Sequence, residues 1–165
     1  MNLNHSTRRS LVALTVVTTS IIGGAGPASA TTTEPLTLQA VSGTAHPDGT
    51  GDFPVVEVTY PSSKRPRTAP GSFSLRADDG TFPAAEICEP ATAVVEIGGD
   101  HKTEMTLSAI GNVCGRWAPD EASPPIQNFV GRYTVVHGPA RFDGDDGFVN
   151  IMVGDGWSYL FGIDT

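Results

Sequence analysis

Three of the four histidines lie beyond residue 30, and they are the first candidates for acid–base or metal chemistry, since imidazole titrates near neutral pH and binds metals. His46, His101 and His137 lie far apart, and none has metal-ligand spacing to another histidine or to a cysteine. His137 ends a strand-like segment beside Gly138, so it is the one histidine to test as an acid or base. No hydrolase, metalloprotease or phosphate-binding motif accompanies them. The sequence therefore predicts no catalytic residue, metal site or cofactor, and favours a protein that is not an enzyme.

An acidic cluster at residues 143–147 could in principle bind calcium, because clustered carboxylates suit hard cations. Its sequence is Asp-Gly-Asp-Asp-Gly. The glycine comes one position too early for an EF-hand loop, and no glutamate closes the motif. We interpret the cluster as an acidic turn between Phe142 and Phe148.

Cys88 and Cys114 are the two cysteines of the chain. A pair of cysteines in an exported domain indicates a disulfide, and two cysteines allow one connectivity. A reactive thiol would need a basic neighbour to lower its pKa and would have to escape oxidation. We therefore predict a Cys88–Cys114 disulfide.

Export is indicated by residues 1–30. Arg8 and Arg9 precede a short apolar run, and small residues end the segment at Ala30. This is the pattern of a cleaved secretory signal, with the cut between Ala30 and Thr31. The apolar run is too short for a membrane span, which needs roughly 20 apolar residues. The arginine pair also fits the twin-arginine route, and the sequence leaves the two routes open. We predict a secreted extracellular protein, of a bacterial type, with a single β-rich domain at residues 31–165.

The charge of the chain is acidic, with 18 Asp and Glu against 10 Lys and Arg. Such a surface repels phosphate backbones and anionic lipids, so we predict neither nucleic acid nor a membrane as a partner. The basic run at residues 64–67 is the local exception. It is interpreted as a solvated loop, with docking of an anionic group as the alternative.

Alternating apolar residues recur along the chain, while helical periodicity does not. Glycines and acids between the alternating segments indicate turns. Long loops are predicted at residues 61–71 and 118–125. The predicted strands contain residues 36–40, 56–60, 73–77, 94–97, 105–108, 112–117, 129–137, 148–153 and 157–163. We predict an all-β fold, a single antiparallel barrel of about eight strands, with a β-sandwich as the alternative.

The C-terminal third resembles the dirigent and allene oxide cyclase-like barrels. The resemblance rests on the segment at residues 133–142, which ends in Arg141 and Phe142, followed by Gly144 and Gly147 before the next strand. It covers residues 105–165. The resemblance implies an eight-stranded barrel with an apolar lumen that guides or cyclises small apolar substrates without a metal. No catalytic residue of the family can be placed on this chain.

Aromatic residues are concentrated near the end of the sequence. Strand alternation sends Trp157, Tyr159 and Phe161 to one side. That side is either the lumen, where the rings would contact a small apolar ligand, or the outer face, where they would pack against another element. With His137 and Arg141, these three residues are the candidate ligand-facing positions.

Two functions remain open from the sequence. The first is a secreted, non-catalytic binding or interaction module, whose partner is a small apolar ligand or another extracellular protein. The alternative is a dirigent- or cyclase-like barrel acting on a small apolar substrate, and an open lumen would favour it. An inhibitor that presents residues 118–125 is a third hypothesis.

Overall fold

The computed structural model describes residues 36–60, 65–99, 103–116 and 124–164. The predicted signal at residues 1–30, its cleavage position between Ala30 and Thr31, and His101 lie outside these residues. Most of the predicted loop at residues 118–125 lies outside them as well. The described segments contain no helix long and apolar enough to cross a membrane.

Eight antiparallel strands form a closed barrel in which each strand pairs with its neighbours in the sequence. The ring closes where β1 pairs with β8, with Thr37 opposite Ile163. The prediction of one antiparallel barrel is confirmed, and the sandwich alternative is wrong. The strands are β1 (Thr37–Ala45), β2 (Thr50–Thr59), β3 (Arg67–Ala77), β4 (Cys88–Ile97), β5 (Met105–Arg116), β6 (Ile126–His137), β7 (Asp146–Gly154) and β8 (Trp157–Asp164).

The two ends of the barrel carry different connections, because successive turns of an up-and-down barrel alternate between its ends. The disulfide end, named for Cys88 and Cys114, carries the β1–β2, β3–β4, β5–β6 and β7–β8 connections. The arginine end, named for Arg67 and Arg141, carries the β2–β3, β4–β5 and β6–β7 connections. Residues from connections that are distant in sequence can therefore meet at either end.

Alternate residues of the strands point inward and form one buried hydrophobic cluster. An eight-stranded barrel encloses a space just wide enough for side chains to fill. The largest fully buried side chains include Phe53, Phe129, Tyr133, Leu107, Ile151 and Leu160. Gly111 and Gly131 face each other on β5 and β6, and a Cβ on Gly131 would lie 2.6 Å from the Phe129 ring and 2.7 Å from the Ile110 carbonyl. Large rings thus occupy the interior where glycines leave room for them.

β1 and β2 are longer than alternation predicts, because each contains a bulge. The register of β2 shifts between Phe53 and Val56, and both of these residues are buried while Pro54 and Val55 are exposed. A bulge is one of the few places in a strand that can hold a proline, which has no N–H to donate. The second bulge lies between Ala40 and Gly43 in β1. Simple alternation fails at both positions because a bulge adds a residue to one strand.

Two predicted boundaries are wrong. β5 is one strand from Met105 to Arg116, where we predicted two segments, since Gly111 faces the crowded interior and continues the strand. β3 begins at Arg67, so the predicted loop at residues 61–71 is shorter than expected. The earlier start of β3 is explained by Ala69. This residue pairs with Val56 on β2 and its side chain is buried in the core, so the chain is already part of the sheet here.

Candidate functional site

The predicted disulfide is confirmed. Cys88 and Cys114 are directly opposite each other on β4 and β5, and their Cα atoms are 4.0 Å apart. The bond closes a loop with a sequence separation of 26 residues. On the chain-entropy model, such a loop restricts the unfolded chain by about 3–4 kcal/mol. Both cysteines therefore stabilise the disulfide end, and neither is a nucleophile.

Arg141, a predicted ligand-facing residue, belongs to a cluster at the arginine end. Its guanidinium carbon lies 4.1 Å from the centre of the Tyr60 ring and 4.6 Å from the centre of the Phe142 ring. Arg67 Nε donates a hydrogen bond of 2.8 Å to the Tyr60 hydroxyl. The Tyr60 and Phe142 rings are 5.6 Å apart, and both are buried. The β6–β7 connection therefore meets the end of β2, and Phe142 closes this end of the barrel.

The pKa of Tyr60 is lowered from its ordinary value. Burial alone would raise this pKa, but hydrogen bonds from Arg67 and Arg141, and the positive charges of both residues, outweigh it. Two guanidinium groups thus favour negative charge at the Tyr60 oxygen. The arrangement can stabilise an anion at this end of the barrel.

His137 is exposed at the end of β6. It lines a shallow groove of about 440 Å³ that also includes Glu96 and Glu104. None of the described residues forms a hydrogen bond or an ion pair with its ring. A general base needs a partner that orients it, and the described chain supplies none here.

Trp157, Tyr159 and Phe161 point outward from β8, which is the second of the two alternatives that strand alternation left open. Leu160, between them, is fully buried in the core, and Ser158 is buried as well. The Trp157 side chain is 40% exposed, while Tyr159 and Phe161 are half-buried. Described residues provide no element outside the barrel to cover these rings.

These rings belong to a larger apolar surface, which we call the aromatic wall. It consists of the outward-facing side chains Phe148, Met152, Trp157, Tyr159, Phe161 and Ile163 on β7 and β8. Phe148 lies opposite Ile163, and Met152 lies opposite Tyr159. Phe148 is 46% exposed and Ile163 is 42% exposed. Val130 and Ile110 are also exposed on β6 and β5, but Asn150 and Arg132 lie between them and the wall.

Charge is distributed unevenly around the barrel. β1, β5, β6, β7 and β8 contain only two carboxylates, Asp146 and Asp164, both at strand ends. Asp146 forms an ion pair of 2.6 Å with Arg132, whose guanidinium carbon lies 5.4 Å from the centre of the Phe148 ring. The opposite side, β2–β4, carries Asp52, Glu57, Glu89 and Glu96. The aromatic wall is therefore almost free of negative charge in a chain of net charge −8.

A cleft of about 600 Å³ opens at the disulfide end. Phe82, Pro83 and Pro125 supply part of its apolar lining. The buried Gln127 amide donates hydrogen bonds of 3.1 Å and 3.3 Å to the carbonyls of Pro83 and Pro125. The amide thereby ties the β3–β4 and β5–β6 connections together.

Sequence reasoning missed Tyr60 and Phe148 as candidate functional residues. Tyr60 ends a predicted strand, and nothing near it in the sequence signals that Arg141 lies over its ring. Arg67 was noted only as part of a basic run. Phe148 was identified as a strand residue, but its outward direction depends on which face of β7 meets the core.

Comparisons with protein-family models, with curated proteins and with solved structures give no match for this chain.

Proposed function

We propose that this chain is an exported, non-catalytic interaction module, and that its aromatic wall docks on another extracellular protein. The observation that carries the proposal is the wall itself: exposed aromatic, methionine and branched side chains on adjacent strands. Exposed apolar patches of this kind are a mark of interaction sites.

The composition of the wall supports a protein partner. Interface centres are enriched in aromatic residues, methionine and arginine and depleted in lysine and carboxylates. Phe148, Trp157 and Met152 supply the first two classes, and Arg132 borders Phe148. Aromatic and arginine side chains also supply most binding hot spots.

The distribution of carboxylates around the barrel indicates which kind of partner the wall can bind. A basic partner would gain from carboxylates, which this barrel places on β2–β4, away from the wall. An apolar surface with a neutral rim makes apolar contact with the wall without opposing a charge, because Arg132 is already paired with Asp146. We therefore propose a partner protein with an apolar docking surface that is not basic.

Export is the second part of the proposal. The signal-like pattern of residues 1–30 supports it, and the Cys88–Cys114 disulfide is compatible with an oxidising compartment. A dirigent- or cyclase-like activity is not favoured, because side chains of the core occupy the space in which a small apolar substrate would have to bind.

A photo-cross-linking amino acid placed at position 148 tests the docking. The matched control carries the same group at position 94, because Val94 is an apolar residue of β4 with 39% exposure on the acidic side. Both proteins are added to culture supernatant of the encoding organism, irradiated, and analysed by mass spectrometry. The captured protein is then purified, and its affinity is measured for the unmodified chain and for the Ile163→Asp variant.

The expected result is a discrete adduct at position 148 that is absent at position 94. Binding of the purified partner should weaken by at least about tenfold in Ile163→Asp, since a charge would be buried at the interface. A cross-link between two copies would identify the chain as its own partner through the wall. Equal labelling at both positions, or unchanged affinity of Ile163→Asp, would overturn the docking proposal.

A further inference from the structure

The cleft at the disulfide end is formed by all four connections at that end. It has a volume of about 600 Å³, and its lining consists of residues 45–47, 82–84, 124, 125, 127 and 153–156. Small-molecule sites commonly have volumes of about 300–1,000 Å³ and occur in the mouths of β-barrels. Gln127 and Val153 lie opposite each other on β6 and β7, and both are buried. The cleft therefore borders the side chains that fill the barrel.

The lining of the cleft is rich in hydrogen-bond acceptors and poor in donors. Pro47, Pro83, Pro124 and Pro125 belong to it, and proline has no backbone N–H. The carboxylate of Asp155 accepts hydrogen bonds and donates none when it is ionised. The proline rings also provide apolar surface. A ligand that fits this lining has an apolar body and brings its own donor.

Gln127 has an unpartnered oxygen in this cleft. The residue is 8% exposed, and its Nε2 donates to the carbonyls of Pro83 and Pro125. Its Oε1 is buried and accepts no hydrogen bond from the part of the chain that the structure describes. The reverse orientation of the amide would place its oxygen against two carbonyl oxygens, so the two hydrogen bonds fix Oε1 as the unpartnered atom. A buried acceptor without a donor destabilises the folded protein, and a donor that reaches it is therefore bound favourably.

We propose that the cleft binds a small molecule with an apolar body and one N–H donor, and that this donor bonds to Gln127 Oε1. The apolar body packs on the proline rings. A ligand that carries a carboxylate does not fit, because it would meet Asp155 and an amide oxygen that cannot donate. This site is separate from the aromatic wall and does not depend on docking there.

The ligand reaches Oε1 by a small rotation of the Gln127 amide. The oxygen is covered in the free protein, so the rim of the cleft must move to admit a donor. The hydrogen bond to Pro125 is 3.3 Å long, beyond the usual upper limit of about 3.2 Å, whereas the bond to Pro83 is 3.1 Å. Rotation of the amide would exchange the longer bond for one with the ligand and keep the bond to Pro83.

Titration with indole, followed by NMR, tests the proposal, and 1-methylindole is the matched probe. The two probes share one ring system, but 1-methylindole has a methyl group in place of the N–H. We expect indole to bind with a Kd of about 1 mM, which is ordinary for a ligand of this size. We expect 1-methylindole to bind about fivefold more weakly, because it cannot bond to Oε1. Methylation adds apolar surface, so a cleft that makes only apolar contacts would bind 1-methylindole more tightly.

Indole should shift the side-chain NH₂ resonances of Gln127 and the backbone amides of residues 154–156. Gln127→Leu should lose the preference for indole over 1-methylindole. Gln39→Leu is the matched control, because Gln39 is the other glutamine of the chain, lies in β1 and does not line the cleft. Ile163→Asp, which tests docking through the wall, should leave indole binding unchanged.

An unchanged amide spectrum elsewhere verifies that Gln127→Leu is folded, and the two probes on the unaltered chain decide the question without it. Equal or tighter binding of 1-methylindole would overturn the proposal. Shifts confined to residues 157–163 would overturn it as well, because indole would then bind the wall. The same holds if indole gives no saturable response up to about 10 mM, which corresponds to negligible affinity.

Discussion

At Tyr60, one phenol links two connections of the barrel that are far apart in sequence. Its oxygen accepts a hydrogen bond from Arg67, and its ring supports Arg141. The lowered pKa means that the folded chain releases the Tyr60 proton more easily than the unfolded chain does. The unfolded state therefore binds more protons between the folded pKa and the ordinary value near 10. The pH-dependent part of the stability conferred by Tyr60 must rise with pH across this window, and it is lost as the pH falls through the folded-state pKa.

Tyr60→Phe tests this linkage. At neutral pH, the variant should lose about 1 kcal/mol of unfolding free energy, because Arg67 loses a hydrogen-bond acceptor in a partly buried setting. The difference from the wild type should widen as the pH approaches 10. Urea unfolding at several pH values measures both quantities.

Tyr159→Phe controls for the loss of a phenol, since Tyr159 lies on the aromatic wall away from the arginine end. A stability difference for Tyr60→Phe that stays constant or shrinks at high pH would contradict the assignment.

The contact among Tyr60, Arg67 and Arg141 could not be predicted from the sequence. It depends on the β2–β3 and β6–β7 connections lying at the same end of the barrel.

At the scale of the strand, β8 shows what alternation determines and what it leaves open. Alternation correctly separated Trp157, Tyr159 and Phe161 from Leu160. It did not indicate which set faces the core, because the more apolar set lies outside, whereas Ser158, Leu160 and Gly162 face inward. The structure places the smaller residues inside, where Phe129 and Tyr133 on β6 already fill the space.

Leu160→Ala and Phe161→Ala distinguish the two faces of β8. Leu160→Ala should cost about 2–5 kcal/mol of unfolding free energy, because it leaves a cavity in the core. Phe161→Ala removes a larger side chain but should cost less than half as much, since its ring is half-buried on the outer surface. Chemical denaturation of both variants measures this order. The reverse order would mean that the aromatic face of β8 points into the barrel.

At the scale of the whole molecule, the number of strands and the antiparallel pairing were predictable because each strand pairs with its sequence neighbours. The two bulges were not predictable, since they change which residues face inward without changing the composition of the strand. The uneven distribution of charge around the barrel could not be predicted from the sequence either. Net charge is a property of the chain, whereas the nearly acid-free wall appears only when β5–β8 and β1 lie side by side.

The covalent state of the whole chain provides a prediction about export and stability. Mass spectrometry of the protein from culture supernatant should show a chain that begins at Thr31 and lacks two hydrogens relative to its reduced form. The Cys88→Ala, Cys114→Ala double variant should lose about 3–4 kcal/mol of unfolding free energy. Free thiols in the secreted protein would disprove the disulfide there, and an uncleaved N-terminus would disprove the predicted processing.

The pairing of β1 with β8 has a kinetic consequence. Seven of the ladders join neighbouring strands, but this one joins the first and last strands, with Thr37 opposite Ile163. Its loop-closure entropy is the largest in the molecule, so we expect this seam to form last. Until it forms, β1 and β8 are open edges that can pair with another chain. Nascent molecules are thus most vulnerable to aggregation along the strand that carries Trp157, Tyr159 and Phe161, and pairing of β8 with β1 removes this open edge.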